Sequence, residues 1–228
     1  MDWVRAITFD FWGTLVDVDS SGIQGCAAVL KQIGLNTEDA NRLYFDWDAA
    51  TVREYRSGPW EPYVNFGARG LKRVLGARVP DQESVDWLEL SELLVSTMTR
   101  NAQPHPEAPR LIEFLKPRYP LCPITNMDLR LFDLNPFKSS FDMWVTAEEA
   151  GAYKPSESIF LEAVNKLGVA PQHILHVSLA QFADVEGAKP LGMKVAWINR
   201  SCEAQGLYTP DPDYQFPDLN GVYELFAS

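Results

Sequence analysis

The sequence predicts an α/β fold: a parallel sheet flanked by helices, with a helical domain inserted after the first strand. Three observations lead there. Short apolar runs alternate with helical periodicities at the start of the chain and again from residue 101 onwards, the pattern of β-α-β units. Residues 18–100 carry helical spacing and little strand signal. Polar residues capable of chemistry, Asp10, Thr125 and the stretch 178–184, fall just after apolar runs, where open parallel sheets bind their ligands.

Residues 4–9 read as a buried strand, with Asp10 at its end. In the inserted stretch, Ala27, Leu30 and Ile33 repeat at helical spacing, as do Leu43, Trp47 and Ala50. Val85, Leu88, Leu93 and Val95 do so with some drift. Gly58-Pro59 and Val79-Pro80 divide the stretch into separate helices. Its aromatics, Tyr44, Phe45, Trp47, Trp60, Tyr63, Phe66 and Trp87, are expected mainly in its own core. A Pro-rich connection over 103–109 leads back. Strands are predicted over 120–125, 141–146, 173–178 and 194–199, with a short edge strand over 214–216. Helices are predicted over 107–116, 156–167, 182–191 and 218–226. The domains are therefore 1–17 with 101–228, and 18–100.

The chain has 228 residues, enough for one large domain or a core with an insertion. Lys and Arg total 20 against 31 Asp and Glu, a net charge of −11. With 46% hydrophobic residues, disorder is excluded as the main state. No basic run is present, which argues against a nucleic-acid partner, since such partners need clustered cations. An acidic surface also suits an anionic membrane poorly, and no apolar run approaches the roughly 18 residues of a bilayer span. A small anionic substrate stays compatible, because a pocket can be locally positive. Cys26, Cys122 and Cys202 are far apart and odd in number, so reduced thiols and a cytoplasmic location are expected. The start, Met1-Asp2-Trp3-Val4-Arg5, has no charged segment followed by a long apolar one, so no signal peptide is expected. His105, His173 and His176 lack partners at metal-ligand spacing, and structural roles are expected for all three. The oligomeric state is left open, a homodimer being one option.

The segment Phe9-Asp10-Phe11-Trp12-Gly13-Thr14-Leu15-Val16-Asp17 resembles the first motif of the haloacid dehalogenase superfamily. Ile124-Thr125-Asn126 resembles its second motif and Tyr153-Lys154-Pro155 its third. His176-Val177-Ser178 through Asp184, followed by Glu186-Gly187-Ala188-Lys189, resembles the fourth. The four occur in order and span essentially the whole chain, with 18–100 in the place of the family's cap. The resemblance implies a Rossmann-like core with an inserted helical cap. It implies catalytic roles for Asp10, Lys154, Asp184 and Thr14, and substrate contacts from Phe11, Trp12, Thr125, Asn126 and Gln181. The chemistry of the residues agrees. A carboxylate nucleophile needs a cation to hold it ionised, and Lys154 can supply one. Thr125 and Asn126 can bind an oxyanion or a substrate carboxylate, and Thr14 can tie the first loop.

Departures from the motifs narrow the reaction. The superfamily's phosphatases resemble one another in a second Asp two residues after the nucleophile, which protonates the leaving oxygen; here Trp12 stands there. They also carry a magnesium-binding Asp early in the fourth motif, where this chain has Leu179, which offers no oxygen to a hard cation. Halide leaves as a stable anion and needs neither, and the chain is most similar to the L-2-haloacid dehalogenase branch. The resemblance implies that Asp10 displaces halide and forms an aspartyl ester, which water then opens with help from Asp184, without a cofactor. That branch places an Arg after a cap Trp, whereas Asp48 follows Trp47; Arg42, Arg53 or Arg56 are the candidates to replace it. Ala183 and Phe160 stand where the branch has an aromatic and a Tyr. Three alternatives stay open: a phosphatase retaining Mg²⁺, a binding protein on a degenerate scaffold, and hydrolysis of another activated C–X bond.

Overall fold

The computed structural model describes residues 1–56 and 58–227. Strand β1 (Ala6–Asp10) is buried along its whole length, as a mainly apolar strand between two neighbours should be. It is followed by β2 (Leu121–Thr125), β3 (Val145–Thr146), β4 (Ile174–Ser178), β5 (Lys194–Ile198) and β6 (Tyr214–Phe216). The sheet order is β3-β2-β1-β4-β5-β6, with every pair parallel. The order reverses at β1, so the switch point lies between β1 and β4, where α/β sheets open a crevice. Asp10 pairs with Ile124 and Phe9 with Val177. That register brings Asp10, Thr125 and Ser178 to one end of the sheet.

Helices α1 (Val18–Gln32), α2 (Ala40–Tyr55), α3 (Tyr63–Leu75) and α4 (Trp87–Asn101) make up most of the insertion. Helices α5 (Ala108–Leu115), α6 (Glu157–Leu167) and α7 (Leu219–Ala227) belong with the sheet. The chain separates into two compact units: 1–17, 104–126 and 139–227 form the first, and 18–103 with 127–138 the second. The sequence reading ends the insertion at 100 and assigns 127–138 to the core. Hydrogen bonding explains the difference. Asn135 Nδ2 donates to the carbonyls of Thr99 (2.8 Å) and Ala102 (2.9 Å) at the end of α4. Both carboxylate oxygens of Asp128 accept from the Tyr63 N–H that opens α3 (3.2 and 3.1 Å). The segment thus satisfies open helix termini, a role with no periodic trace in the sequence.

Within the second unit Trp47 is fully buried and donates from Nε1 to Gly67 O at 2.9 Å. Tyr44, Tyr63, Phe66 and Trp87 are also in its core, while Phe45 is half exposed. The buried stripe of α4 is Trp87, Leu90, Leu94, Val95 and Met98, with Leu88 on the exposed side. Of the predicted stripe Val95 is buried, whereas Val85 lies before the helix begins and Leu93 is part-buried. A Cβ on Gly25 would lie 2.6 Å from Leu94 O, so glycine lets α1 and α4 approach backbone to backbone. Arg42, Arg53 and Arg56 are all exposed, Arg42 pairing with Asp46 one helical turn on.

Two core predictions also change. The strand expected over 141–146 shrinks to Val145–Thr146. Phe141 is buried by ring contacts with Phe9 and Phe11 (centroids 6.3 and 6.4 Å apart) rather than by a ladder. The helix expected over 182–191 is a π-helical turn (Gln181–Val185), a short α-helical piece (Glu186–Ala188) and a 3₁₀ turn (Lys189–Leu191). Wide turns of this kind recur at functional sites. Cys26 and Cys122 are buried, and that burial pushes their thiols up to about 12. Among the described residues, no helix is long and apolar enough to cross a membrane.

Asp48, part-buried on α2, has its carboxyl pushed up to about 6 by burial and then by Asp19. Its folded-state value lies above the unfolded one, so stability falls as pH rises from about 4 to 6 and stays lower above that range. Asp48→Asn is expected to raise stability by roughly 2 kcal/mol at pH 8, with the gain shrinking towards pH 4. Paired denaturant titrations of the two proteins at pH 4 and pH 8 measure it.

Candidate active site

Asp10 is the last residue of β1, and Thr8, two positions earlier, shares its face of the strand. After Asp10 the chain turns sharply. Gly13 sits at φ 83°, a conformation that disfavours any side chain, and its N–H donates to Val16 O at 2.8 Å. The turn is held from outside by neighbours in the same unit. His105 Nε2–H donates to Gly13 O (3.0 Å), and Arg200 donates to Thr14 O (3.1 Å) while pairing with Glu107. Thr14 Oγ1 accepts from Leu179 N–H (2.8 Å), so its own proton points the other way, to Asp10 Oδ2 (2.7 Å).

Lys154 lies in the loop before α6 and is almost wholly buried. Its Nζ reaches Asp10 Oδ1 at 2.7 Å and Asp184 Oδ1 at 2.8 Å. Asn126, just beyond β2, accepts the Lys154 backbone N–H on Oδ1 at 2.7 Å and so fixes the loop that carries the ammonium. Gly187 brings this loop close to the turn carrying Asp184. A Cβ there would stand 2.3 Å from the Phe160 ring and 3.0 Å from Pro155 O.

Behind Asp184 lies a group the sequence reading treats as structural only. His176 donates from Nε2 to Asp184 Oδ1 at 3.0 Å, and its Nδ1 is 2.8 Å from Thr8 Oγ1. A polar residue inside a five-residue buried strand must find partners, and that rule is the signal that could have drawn His176 and Thr8 into the site. Ser178 Oγ and Asp184 Oδ2 are buried without a hydrogen-bond partner among the described residues.

Electrostatics separate the two carboxylates. Burial pushes Asp10 above its ordinary range; Lys154 opposes the rise and Asp184 adds to it. Burial pushes Asp184 the same way, but Lys154 and the His176 hydrogen bond together outweigh it and hold the group below its ordinary range. Burial would lower Lys154, but the two carboxylates hold it above its usual value. Paired groups driven in opposite directions are the arrangement that distinct acid–base roles require.

The structure thus brings together Asp10, Thr14, Lys154 and Asp184. Trp12 Nε1 donates to Thr125 Oγ1 at 2.8 Å, which ties these two candidate substrate contacts to each other, and Phe11 packs edge-on against Trp12 (4.9 Å). Gln181 is turned elsewhere. Its Nε2 donates to Ala204 O (3.1 Å) and its Oε1 accepts from Gly206 N–H (2.8 Å). The π-helical turn directs its amide to the 203–206 loop, which it anchors.

A family model for haloacid dehalogenase-like hydrolases matches residues 4–192. The chain belongs to this family. It is 26% identical over its whole length to (S)-2-haloacid dehalogenase of Pseudomonas sp. (strain YL), covering 97% of that protein. It is also 26% identical over 85% of its length to phosphoglycolate phosphatase of Aquifex aeolicus (strain VF5), covering 84% of that protein. The structure of L-2-haloacid dehalogenase from Xanthobacter autotrophicus superposes with a TM-score of 0.80 at 20% identity, covering 99% of each chain, which shows the shared fold.

Removing the cation tests the site's electrostatics. Lys154→Met leaves two buried carboxylates facing each other and is expected to cost about 3–5 kcal/mol at pH 8. Without the ammonium both carboxyls titrate higher in the folded state than in the unfolded one, so the loss should shrink as pH falls and protonates them. Denaturant titrations of this variant and wild type across pH 5–8 read it out.

Proposed function

We propose that this hydrolase opens C–X bonds without a metal, through an ester on Asp10, and acts on short 2-halocarboxylic acids. The observation that carries the reading is the pair of buried carboxylates held by one ammonium, with Trp12 where a leaving-group acid would stand. Nucleophile and water-activating base are both available, and a group to protonate a leaving oxygen is not supplied at that position. The names of several relatives, among them a haloacetate dehalogenase of Moraxella sp. (strain B) at 25% identity, support the same substrate class.

In the proposed reaction Asp10 attacks C2 of the substrate. The C–X bond breaks, and halide leaves with the bonding pair and needs no proton. Asn126 keeps its amide hydrogens as donors for the substrate carboxylate. Water then attacks Asp10 Cγ and gives a proton to Asp184 Oδ2. The tetrahedral intermediate collapses, the C2 alkoxide takes that proton from Asp184, and the Asp10 carboxyl releases one proton to solvent. The sum is haloacid plus water to hydroxy acid, halide and a proton.

The family's magnesium-dependent members raise the question of a metal. The residues here do not fit one. Mg²⁺ asks for six oxygens in an octahedron, yet Lys154 Nζ occupies the space between the two carboxylates. Leu179 contributes no side-chain oxygen, and its backbone carbonyl already accepts from Trp197 Nε1 at 2.9 Å. Among the described residues, no group of three or more His, Cys, Asp or Glu is placed to hold a metal. The reading therefore includes a small anionic substrate and no cofactor.

Chloride release from 2-chloroacetate, 2-chloropropionate and 2-chlorobutyrate tests this. Turnover unchanged by EDTA and abolished in Asp10→Asn is expected. Absence of chloride release at every chain length overturns the dehalogenase reading, and Mg²⁺-stimulated hydrolysis of p-nitrophenyl phosphate would put a phosphatase in its place.

A further inference from the structure

Asp184 holds both of its hydrogen-bond donors on one oxygen. Lys154 Nζ (2.8 Å) and His176 Nε2 (3.0 Å) both reach Oδ1, and Oδ2 is buried with no hydrogen-bond partner among the described residues. A carboxylate oxygen in that setting is unfavourable until a donor reaches it. Something must therefore hold the carboxylate in this orientation.

His176 is built to do so. It is fully buried in β4 and stands directly opposite Thr8 of β1 in the sheet register. A carboxylate only accepts hydrogen bonds, so Nε2 carries a proton, and Nδ1 hydrogen-bonds the Thr8 hydroxyl at 2.8 Å. The arrangement satisfies all three groups. The Phe160 ring packs edge-on at 5.5 Å and closes the remaining side. The imidazole is thus fixed by Thr8, Asp184 and Phe160, from three different elements.

We infer that His176, oriented by Thr8, is a positioning residue. It pins Asp184 Oδ1 beside Lys154 and so presents Oδ2 to the water that opens the Asp10 ester. The inference rests on the proposed aspartyl-ester reaction and deepens it. His176 keeps its own proton throughout. The proton from water goes to Oδ2 and returns to the leaving alkoxide, because Oδ1 is already saturated with donors. The first half-reaction, displacement at carbon, does not use Oδ2 and should be insensitive to His176.

The test compares His176→Phe, which keeps the ring and loses the donor, with His176→Gln, whose amide N–H replaces Nε2–H. Thr8→Val, matched in shape, serves if the ring variant fails to fold. Thermal melts confirm folding. In rapid-quench experiments with 2-chloropropionate, His176→Phe should release a burst of one chloride per enzyme at the wild-type rate. Turnover should then fall roughly tenfold to hundredfold, with the Asp10 ester accumulating in intact mass spectra. His176→Gln should recover most of the turnover, and Thr8→Val should show a weaker form of the same defect. Wild-type turnover in His176→Phe, a burst slowed in proportion to turnover, or no advantage of Gln over Phe would overturn the inference. If wild type itself releases no halide, the reaction assignment fails and imidazole NMR decides the positioning role. A ring protonated on Nε2, with a downfield proton that moves upfield in Asp184→Asn, supports it; a ring protonated on Nδ1 alone, or a signal that does not move, sinks it.

Discussion

One ammonium group holds the site together. Lys154 Nζ bridges Asp10 and Asp184 where all three side chains are withdrawn from water. Burying each charge is costly, and mutual attraction offsets the cost only when geometry is good and the remaining polar atoms are satisfied. The surroundings meet that demand for Asp10, through Thr14, and for Oδ1 of Asp184, through His176. Among the described residues they leave it unmet at Asp184 Oδ2 and Ser178 Oγ. The stabilised atoms lock the charges in place.

The same bridge sets the two carboxylates apart. Both suffer burial, but Asp184 collects more compensation than Asp10. Asp184 is thereby held firmly ionised beside Lys154. Overall acidity matters little at this scale. The net charge of −11 governs solubility and partners at long range, whereas a handful of buried contacts govern the chemistry.

The sheet explains why these contacts can exist. Parallel strands in register deliver Asp10, Thr125 and Ser178 to one end. Loops beyond the strands bring Lys154 to Asp10 and Asp184, with Asn126 holding the Lys154 backbone. The close packing of Gly187 against Phe160 and Pro155 is what lets the Lys154 loop and the Asp184 turn share one cation. Fold and site are therefore not separable: a shift of the π-helical turn would displace Asp184 and the Gln181 anchor together.

Much of this was legible in the residues themselves. Apolar runs and period changes placed β1, β2, β4 and β5, because a parallel strand buried on both faces is mostly apolar. Asp10, Thr14, Lys154 and Asp184 were readable because each follows a strand or sits in a short motif. Three things were decided only by tertiary structure. Residues 127–138 joined the inserted unit through Asp128 and Asn135, which cap helices distant in sequence. Gln181 turned to the 203–206 loop because a π-helical turn rotated it there. His176 met Asp184 because sheet register set it opposite Thr8 and the following turn folded Asp184 back over the strand. Local patterns record which residues are buried and which end a strand. Which buried polar groups meet depends on register and turn geometry, and those arise only when distant segments pack.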